Sequence, residues 1–287
     1  MWLLIVLILF ILGSVVLFIF MANAYKTMPI PHTTTPEALG IKFEEVWIKT
    51  VNNLKLYAWW IPSENCNLKP VLILVHGWRR NVERMLPYIK ELYHEYNLLV
   101  FDARNHGKSD KDGIATMPKF TEDMLAAIDY ILSRKDTGIN EIGVLGLSMG
   151  GSAAIYAAAK DRRIKSVVTV GAFANPDEIM ELEFKKRHIP YFPFVYVFLK
   201  YVELKIGLKF NTFAPERHVQ NINAKLLLIH GSDDVTAPVN QAQKLFHASH
   251  TVHSQLWIID GAGHSDCHKF PGFWERIKEF LDGSLYP

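Results

Sequence analysis

Residues 146–150 read GLSMG, which places Ser148 between two glycines. The short apolar run Ile142–Leu145 precedes this motif, and Met149–Lys160, rich in glycine and alanine, follows it. A Gly-x-Ser-x-Gly motif between a strand and a helix forms a sharp turn that exposes the serine hydroxyl at the edge of a sheet. The sequence therefore predicts that Ser148 is a nucleophile; the alternative is an ordinary serine in a glycine-rich turn.

A nucleophilic serine needs a base to take up its proton, and the base needs a carboxylate to orient it. The apolar run Leu226–Ile229 is followed by Asp233 and Asp234, and the run Leu256–Ile259 is followed by His264. Ligands bind at the carboxyl ends of the strands in open α/β sheets, so both groups are expected at the edge that carries the serine. His264 is the predicted base, and either aspartate could be the acid.

Several other histidines are not predicted to be catalytic. His230 lies in the turn directly after its strand and is predicted to be structural. His247, His250 and His253 are spaced by three and could share a helical face as metal ligands, but no carboxylate or cysteine lies nearby. A solvated surface is the better interpretation. The chain also lacks an HExxH motif, so a metalloprotease is not expected. We expect no metal and no other cofactor.

Eight short stretches predict the strands that position these groups. The first two, Phe43–Thr50 and Leu54–Ile61, flank a turn of Val51-Asn52-Asn53 and suit a hairpin. Six continuous apolar runs then alternate with helical stretches, as in a mostly parallel sheet with helices on both faces. These runs are Val71–Val75, Leu98–Phe101, Ile142–Leu145, Val167–Val170, Leu226–Ile229 and Leu256–Ile259.

Residues 171–221 interrupt this alternation and contain ten aromatic residues. About fifty residues are too many for a bare loop between two strands. We predict a small helical cap over the carboxyl edge of the sheet. Its aromatic side chains either contact a lipid-like substrate or form the core of the cap itself.

The N-terminal run Trp2–Met21 has no charged side chain and is long enough to cross a bilayer as a helix. A cleaved signal peptide is the alternative, since Ala22-Asn23-Ala24 resembles a cleavage site. The run is longer than usual for such a peptide, and no Lys or Arg precedes it. We therefore predict a single-pass anchor over residues 1–25, an extended linker over 26–40 that lifts the domain off the membrane, and one domain over 41–287. The lysines that follow the run favour a cytoplasmic domain.

The charge composition of the chain argues against one class of binding partner, nucleic acid. The formal net charge of the 287 residues is +2, and Lys and Arg are spread along the chain, so binding to nucleic acid is not expected.

Cys66 and Cys267 are the only cysteines. They could form one bridge, but two separate thiols are the better interpretation.

Together, several motifs resemble the α/β-hydrolase superfamily, and the chain is similar to its monoglyceride-lipase, lysophospholipase and serine-aminopeptidase-like branch. The motifs are His76-Gly77, DARNHGKS at 102–109, the GLSMG motif, HGSDDVTAP at 230–238, and Gly263-His264. The resemblance implies that Asp234 is the acid and that His106 supports a loop. It also implies that the backbone N–H groups of Trp78 and Met149 form the oxyanion hole. Asn105 stands where relatives commonly have glycine.

Arg79 and Arg80 also depart from the family, which often has small residues there. The pair could bind an anionic head group or could form a solvated turn. The resemblance implies a hydrolase of carboxylic esters, and the cap and anchor suggest an acyl lipid such as a monoacylglycerol or a lysophospholipid. A peptidase or amidase, an acyltransferase, or an inactive membrane-anchored binding scaffold are the alternatives. A dehalogenase is disfavoured, because its nucleophile is a carboxylate.

Overall fold

The computed structural model describes residues 2–137, 141–249 and 253–286. Its strands are β1 (Glu44–Lys49), β2 (Lys55–Ile61), β3 (Val71–Val75), β4 (Asn97–Phe101), β5 (Ile142–Leu147), β6 (Ile164–Val170), β7 (Lys225–Gly231) and β8 (Ser254–Ile259). They form one sheet in the order β1-β2-β4-β3-β5-β6-β7-β8. Strands β1 and β2 are antiparallel, β2 is antiparallel to β4, and β3 to β8 run parallel. The predicted mostly parallel eight-stranded sheet is confirmed.

Helices connect and cover these strands. They are α1 (Trp2–Ala24), α2 (Leu86–Leu92), α3 (Met117–Ser133), α4 (Met149–Ala158), α5 (Pro176–Lys186), α6 (Tyr196–Ile206), α7 (Pro215–His218), α8 (Asn240–Ser249) and α9 (Phe273–Leu285). The sequence pattern did not predict α2, which has only seven residues. So short a helix shows too little periodicity to be recognised.

The strands β2 to β7 are buried on both faces, which explains their apolar runs. In β3, the side chains of Val71, Ile73 and Val75 pack into the core that contains α3 and α4. Leu72 and Leu74 point to the opposite core, with α2 and α9. Successive side chains of a strand alternate between its faces, so both sets must be apolar when helices cover both sides.

The turn between β1 and β2 follows from its two asparagines. Asn52 and Asn53 have φ angles of 57° and 58°. Asparagine adopts this left-handed region more readily than most residues. The turn lets the chain reverse, so that the predicted hairpin forms.

The segment predicted as a cap leaves the carboxyl end of β6 and contains α5, α6 and α7. Five of its phenylalanines are almost fully buried: Phe173, Phe184, Phe198, Phe210 and Phe213. The Lys186 ammonium donates a hydrogen bond to the carbonyl of Val235, in the loop after β7. Part of the aromatic content thus forms the cap's own core, and the cap reaches the loops at the carboxyl edge of the sheet.

Helix α1 is long and apolar enough to cross a membrane by length and composition. Its last turns pack against the cap, where the ring of Phe18 lies 5.8 Å from that of Phe198 and 4.9 Å from that of Tyr201. Met21 is buried at this contact. The carboxyl end of α1 is therefore part of the packed protein.

The segment after α1 does not extend away from the domain. His32 donates from Nε2 to Oδ2 of Asp102 at 2.8 Å, and the backbone N–H of Thr34 donates to Glu83 at 2.6 Å. The side-chain amide of Asn81 donates to the carbonyl of Ile30 at 3.1 Å. These hydrogen bonds hold the segment against the loops after β3 and β4, so it packs on the domain and is not a free chain. That it lifts the domain off a membrane stays a prediction. Its Pro and Thr content resembles a linker, but no local pattern encodes its distant partners.

The two cysteines are separate free thiols, as predicted. Cys66 is partly exposed, and Cys267 is buried. Burial raises the pKa of Cys267 to about 12. Cys267 is therefore a thiol packed in the core, and Cys66 is the accessible one.

Arg104 is the most deeply buried cation, with 1% of its surface exposed. Its Nε donates to the carboxylate of Asp123 at 2.6 Å, and Asp123 also accepts from the Arg104 backbone N–H at 2.8 Å and from the Thr50 hydroxyl at 3.0 Å. This pair ties the loop after β4 to α3 and to the hairpin. A carboxylate at this depth depends on its cationic partner.

We expect Arg104→Met to lower the free energy of unfolding by about 3–5 kcal/mol, because it leaves the buried Asp123 carboxylate without its cation. Urea denaturation followed by circular dichroism measures this. The control is Arg163→Met at the more exposed Arg163–Asp161 ion pair, where about 1 kcal/mol or less is expected. Equal losses in the two variants would contradict the dependence on burial.

Candidate active site

Ser148 stands at the junction of β5 and α4 with φ 51° and ψ −119°, a conformation that is rare for a residue with a side chain. The flanking glycines explain how this turn fits. A Cβ on Gly146 would lie 2.5 Å from the carbonyl group of Gly150, and a Cβ on Gly150 would lie 2.5 Å from the carbonyl oxygen of His76. The motif therefore needs glycine for close backbone approach, and the serine is held at the carboxyl edge of the sheet.

The structure brings together three of the predicted side chains. Oγ of Ser148 lies 2.9 Å from Nε2 of His264. Nδ1 of the same imidazole lies 2.6 Å from Oδ2 of Asp234. Because a carboxylate only accepts hydrogen bonds, Nδ1 carries the proton and Nε2 is free to accept one from the serine hydroxyl.

Asp234 is fixed from several sides. Its Oδ1 accepts hydrogen bonds from the backbone N–H groups of Thr236 and Ala237 at 2.8 and 2.9 Å. Burial by itself would raise the pKa of Asp234, but hydrogen bonds from His230 and His264 outweigh it and hold the pKa well below its usual range. Asp233, the alternative acid, is exposed to solvent.

His230 contacts the carboxylate of Asp234, which the sequence analysis did not predict. Its Nε2 lies 2.6 Å from the carbonyl oxygen of Ala237 and 3.2 Å from Oδ2 of Asp234. Both neighbours are acceptors, so Nε2 carries the proton. His230 is buried, in line with the structural role predicted for it. It also orients the carboxylate of Asp234, because the loop after β7 folds back toward the end of that strand.

The turn after β3 lies against the serine. A Cβ on Gly77 would lie 3.3 Å from Cβ of Ser148. Among the described residues, the backbone N–H groups of Trp78 and Met149 have no protein acceptor. The first N–H groups of a helix are left without partners and favour negative charge. Both donors predicted for an oxyanion hole are thus available beside Ser148.

His106 braces this turn. Its Nε2 accepts a hydrogen bond from the backbone N–H of Arg79 at 3.1 Å, and its Nδ1 lies 2.9 Å from the carbonyl of Arg104. Burial lowers the pKa of His106 to about 3, so the ring is neutral and can accept. The loop after β4 in this way supports the residue that follows Trp78.

A cavity of about 280 Å³ opens beside the serine. Its walls come from five separate segments. Sequence reasoning did not identify Arg84, Tyr88, Val170 and Ser265 among them, because these residues lie outside the recognised motifs. The guanidinium of Arg84 donates to the carbonyl of Ser265 at 2.7 Å, next to His264. The cavity is lined by Gly77, Trp78, Arg80, Arg84, Tyr88, Leu147, Ser148, Val170, Thr236, His264 and Ser265.

Arg79 and Arg80 differ in their surroundings. The Arg79 guanidinium lies over the ring of Trp78, at 4.5 Å from its centre, and donates to the carbonyls of Ala24 and Lys26, both at 2.8 Å. It does not line the cavity. That Arg79 binds substrate stays a prediction. A cation is favourable at this position, because the carbonyls at the end of α1 lack helical partners. Arg80 does line the cavity.

Sets of metal ligands were also considered. Within residues 2–137, 141–249 and 253–286, no group of three or more His, Cys, Asp or Glu side chains could hold a metal ion. His247 and His253 lie in that part of the chain, but His250 lies outside the described residues. Among these residues, no metal site therefore competes with the serine-centred site.

We expect Arg79→Ala to expose the chain around Lys26 and to speed tryptic cleavage there up to about tenfold, since each charged hydrogen bond contributes on the order of 1.5 kcal/mol. Timed proteolysis of the detergent-solubilised full chain measures this. Arg80→Ala, at the neighbouring exposed residue, is the matched control. Unchanged cleavage in Arg79→Ala, or equal acceleration in both variants, would contradict the bracing role of Arg79.

Comparison with known proteins gives the family. A model of the alpha/beta hydrolase fold matches residues 70–213. The esterase Pf2001 of Pyrococcus furiosus is 26% identical, with a TM-score of 0.74 over 91% of this chain and 97% of that one. An uncharacterized membrane protein of Saccharomyces cerevisiae is 22% identical over 87% of this chain and 83% of its own length. The protein bem46 of Schizosaccharomyces pombe is 22% identical, over 86% and 79%. With its eight-stranded sheet and its matched core, the chain belongs to the α/β-hydrolase family.

Proposed function

We propose that this protein is a membrane-anchored serine hydrolase that cleaves carboxylic esters of acyl lipids. The observation that supports this most is the continuous hydrogen-bonded series from Ser148 through His264 to Asp234 at the edge of an open cavity. Similarity to an esterase at 26% identity favours an ester over other acyl compounds.

In the proposed reaction, Oγ of Ser148 attacks the acyl carbonyl carbon and His264 accepts its proton at Nε2. Asp234 stabilises the resulting imidazolium through Nδ1. The carbonyl oxygen becomes negatively charged and accepts hydrogen bonds from the N–H groups of Trp78 and Met149. His264 then protonates the departing alcohol, and an acyl-enzyme ester on Ser148 remains.

Water completes the cycle. His264 takes a proton from a water molecule, which attacks the acyl-enzyme carbonyl, and then returns the proton to Oγ as the acid is released. The low pKa of Asp234 keeps its carboxylate ionised at neutral pH, so it can orient the imidazole in both halves of the reaction.

An acyl lipid is favoured by the surroundings of the site. Trp78, Tyr88, Leu147 and Val170 give the cavity apolar walls, while Arg80 adds a cation suited to an anionic head group. The residue directly after α1 reaches this region, since the ring of Tyr25 stacks on that of Trp78 at 5.6 Å. In our proposal α1 crosses the membrane and the domain faces the cytoplasm, in line with the lysines after the helix.

A fluorophosphonate probe tests the nucleophile. We expect the full chain in detergent to be labelled and Ser148→Ala to be unlabelled, because the probe forms a covalent bond only with an activated serine. Mass spectrometry of the labelled peptide identifies the site. A folded wild-type chain that resists the probe would favour the binding scaffold instead.

The same experiment distinguishes the two candidate acids. Asp234→Asn should slow labelling by about a thousandfold or more, because the amide no longer enforces the required imidazole tautomer. Asp233→Asn, its exposed neighbour, should label at the wild-type rate. Slow labelling in Asp233→Asn with normal labelling in Asp234→Asn would reverse the assignment.

A series of monoacylglycerols and p-nitrophenyl esters of increasing chain length tests the substrate class. We expect kcat/KM to rise with chain length, on the order of twofold or more per buried methylene pair, until the apolar surface of the site is filled. Amide analogues of the same chain length serve as the comparison for peptidase or amidase activity. A preference for acetyl esters, or for the amides, would overturn the proposal of an acyl-lipid esterase.

A further inference from the structure

The cap has an exposed apolar surface beside α1, which we call the cap face. It consists of Tyr191, Phe192, Tyr196, Val197, Leu204 and Leu208, with exposed fractions between 42% and 79%. The rings of Tyr191 and Phe192 lie within 6.4 Å of that of Tyr196, and Val197 and Leu204 lie two helical turns apart on one side of α6. A group of large apolar side chains of this kind marks an interaction surface.

We propose that the cap face is embedded in the leaflet of the bilayer next to the domain, at the boundary of hydrocarbon and head groups. This inference rests on the membrane anchoring proposed above. It assigns to the cap a lipid contact of its own, separate from the helix that crosses the membrane.

The position of α1 is the first argument. One side of its last turns, including Leu17 and Phe18, packs against the cap, as described above. At the same level, Val16, Ile19 and Phe20 point outward with 51% to 67% of their surfaces exposed. If α1 crosses a bilayer, these apolar side chains require hydrocarbon at their level, because no charged residue separates them from the rest of the helix.

Because α6 is in contact with α1, the neighbouring surface of the cap lies at the same depth and also needs hydrocarbon around it. Phe18 touches both Phe198 and Tyr201, and these residues belong to the helix that bears Val197 and Leu204. A bilayer that covers Ile19 and Phe20 therefore extends to the neighbouring surface of α6. The cap face is continuous with the apolar surface of the proposed membrane helix.

Charge gives an independent argument. Residues 185–209 contain six lysines and arginines and a single glutamate. The ammonium groups of Lys200 and Lys205 lie over the rings of Tyr196 and Tyr201, at 5.8 and 5.6 Å from the ring centres. Aromatic rings mixed with lysines are typical of surfaces that enter the interfacial region, where the cations meet anionic head groups.

These charges also favour a bilayer over a second copy of the chain. In a symmetric dimer the same patch meets itself, so the lysines of the two cap faces would approach each other. A leaflet with anionic lipids offers the complementary charge. It also offers hydrocarbon to the apolar side chains.

Depth-dependent quenching tests the inference on the full chain in vesicles of phosphatidylcholine and phosphatidylserine. In a Cys66→Ser background, Val197→Cys and Leu204→Cys are each labelled with a nitrobenzoxadiazole fluorophore. We expect a blue-shifted emission that phosphatidylcholine brominated on its acyl chains quenches. Arg162→Cys, an exposed position between α4 and β6 at the opposite edge of the sheet, is the control and should show neither effect.

Two results would overturn the inference. Labels on the cap face that behave like the label at position 162 would mean that the face is in water. A blue shift without quenching by the brominated lipid would mean that protein, such as a second copy, covers it. Flotation of the vesicles and fluorophosphonate labelling of Ser148 in the same samples report separately on the anchor and on the active serine, so their failure is distinguishable from failure of the cap contact.

Activity gives a second readout. The double variant Val197→Glu/Leu204→Glu should hydrolyse p-nitrophenyl acetate in solution at the wild-type rate, because neither residue touches the site. Its turnover of mono-oleoylglycerol in vesicles should fall about tenfold, since two partly buried apolar contacts are lost. Equal effects on both substrates, or none on either, would contradict a role of the cap face at the membrane.

Discussion

The close approach of two backbone segments at Gly146 and Gly150 is the constraint on which the candidate site depends. No Cβ fits at either position, so the chain can turn from β5 into α4 with only Ser148 projecting. The serine then lies against the turn after β3 and within reach of the loops after β7 and β8. Every other part of the site is positioned relative to this turn, because parallel strands bring all four loops to one edge of the sheet.

The sequence was most informative where a residue's role is local. Continuous apolar runs identified six of the eight strands, because strands covered by helices on both faces need apolar residues on each side. The other two, β1 and β2, were recognised as β-rich stretches on either side of a turn. The GLSMG motif, the pair Asp233 and Asp234, and His264 could be found because each lies at or just past the end of a predicted strand. The resemblance to the family then selected Asp234. The cavity walls could not be found in this way, since Arg84, Tyr88 and Thr236 meet only through the tertiary fold.

The N-terminal region was predicted less well, for a physical reason. Residues 26–40 resemble a linker by composition, yet His32 reaches a buried carboxylate seventy positions further along the chain. Arg79 looked like a ligand for an anion, but the carbonyls at the end of α1 occupy it. In both cases a specific long-range hydrogen bond decides the outcome, and nothing in the local pattern encodes it.

The docked segment after α1 also sets how far the domain can travel. A flexible chain of fifteen residues would have a reach of about 20 Å and would let the domain rotate and sample a neighbouring surface. With His32, Thr34 and Arg79 fixing the segment, that freedom is absent. If α1 crosses a membrane as proposed, an enzyme held in this way would act in cis, on molecules that diffuse laterally in the same membrane. Its encounters with substrate would then be a two-dimensional search with the orientation already set.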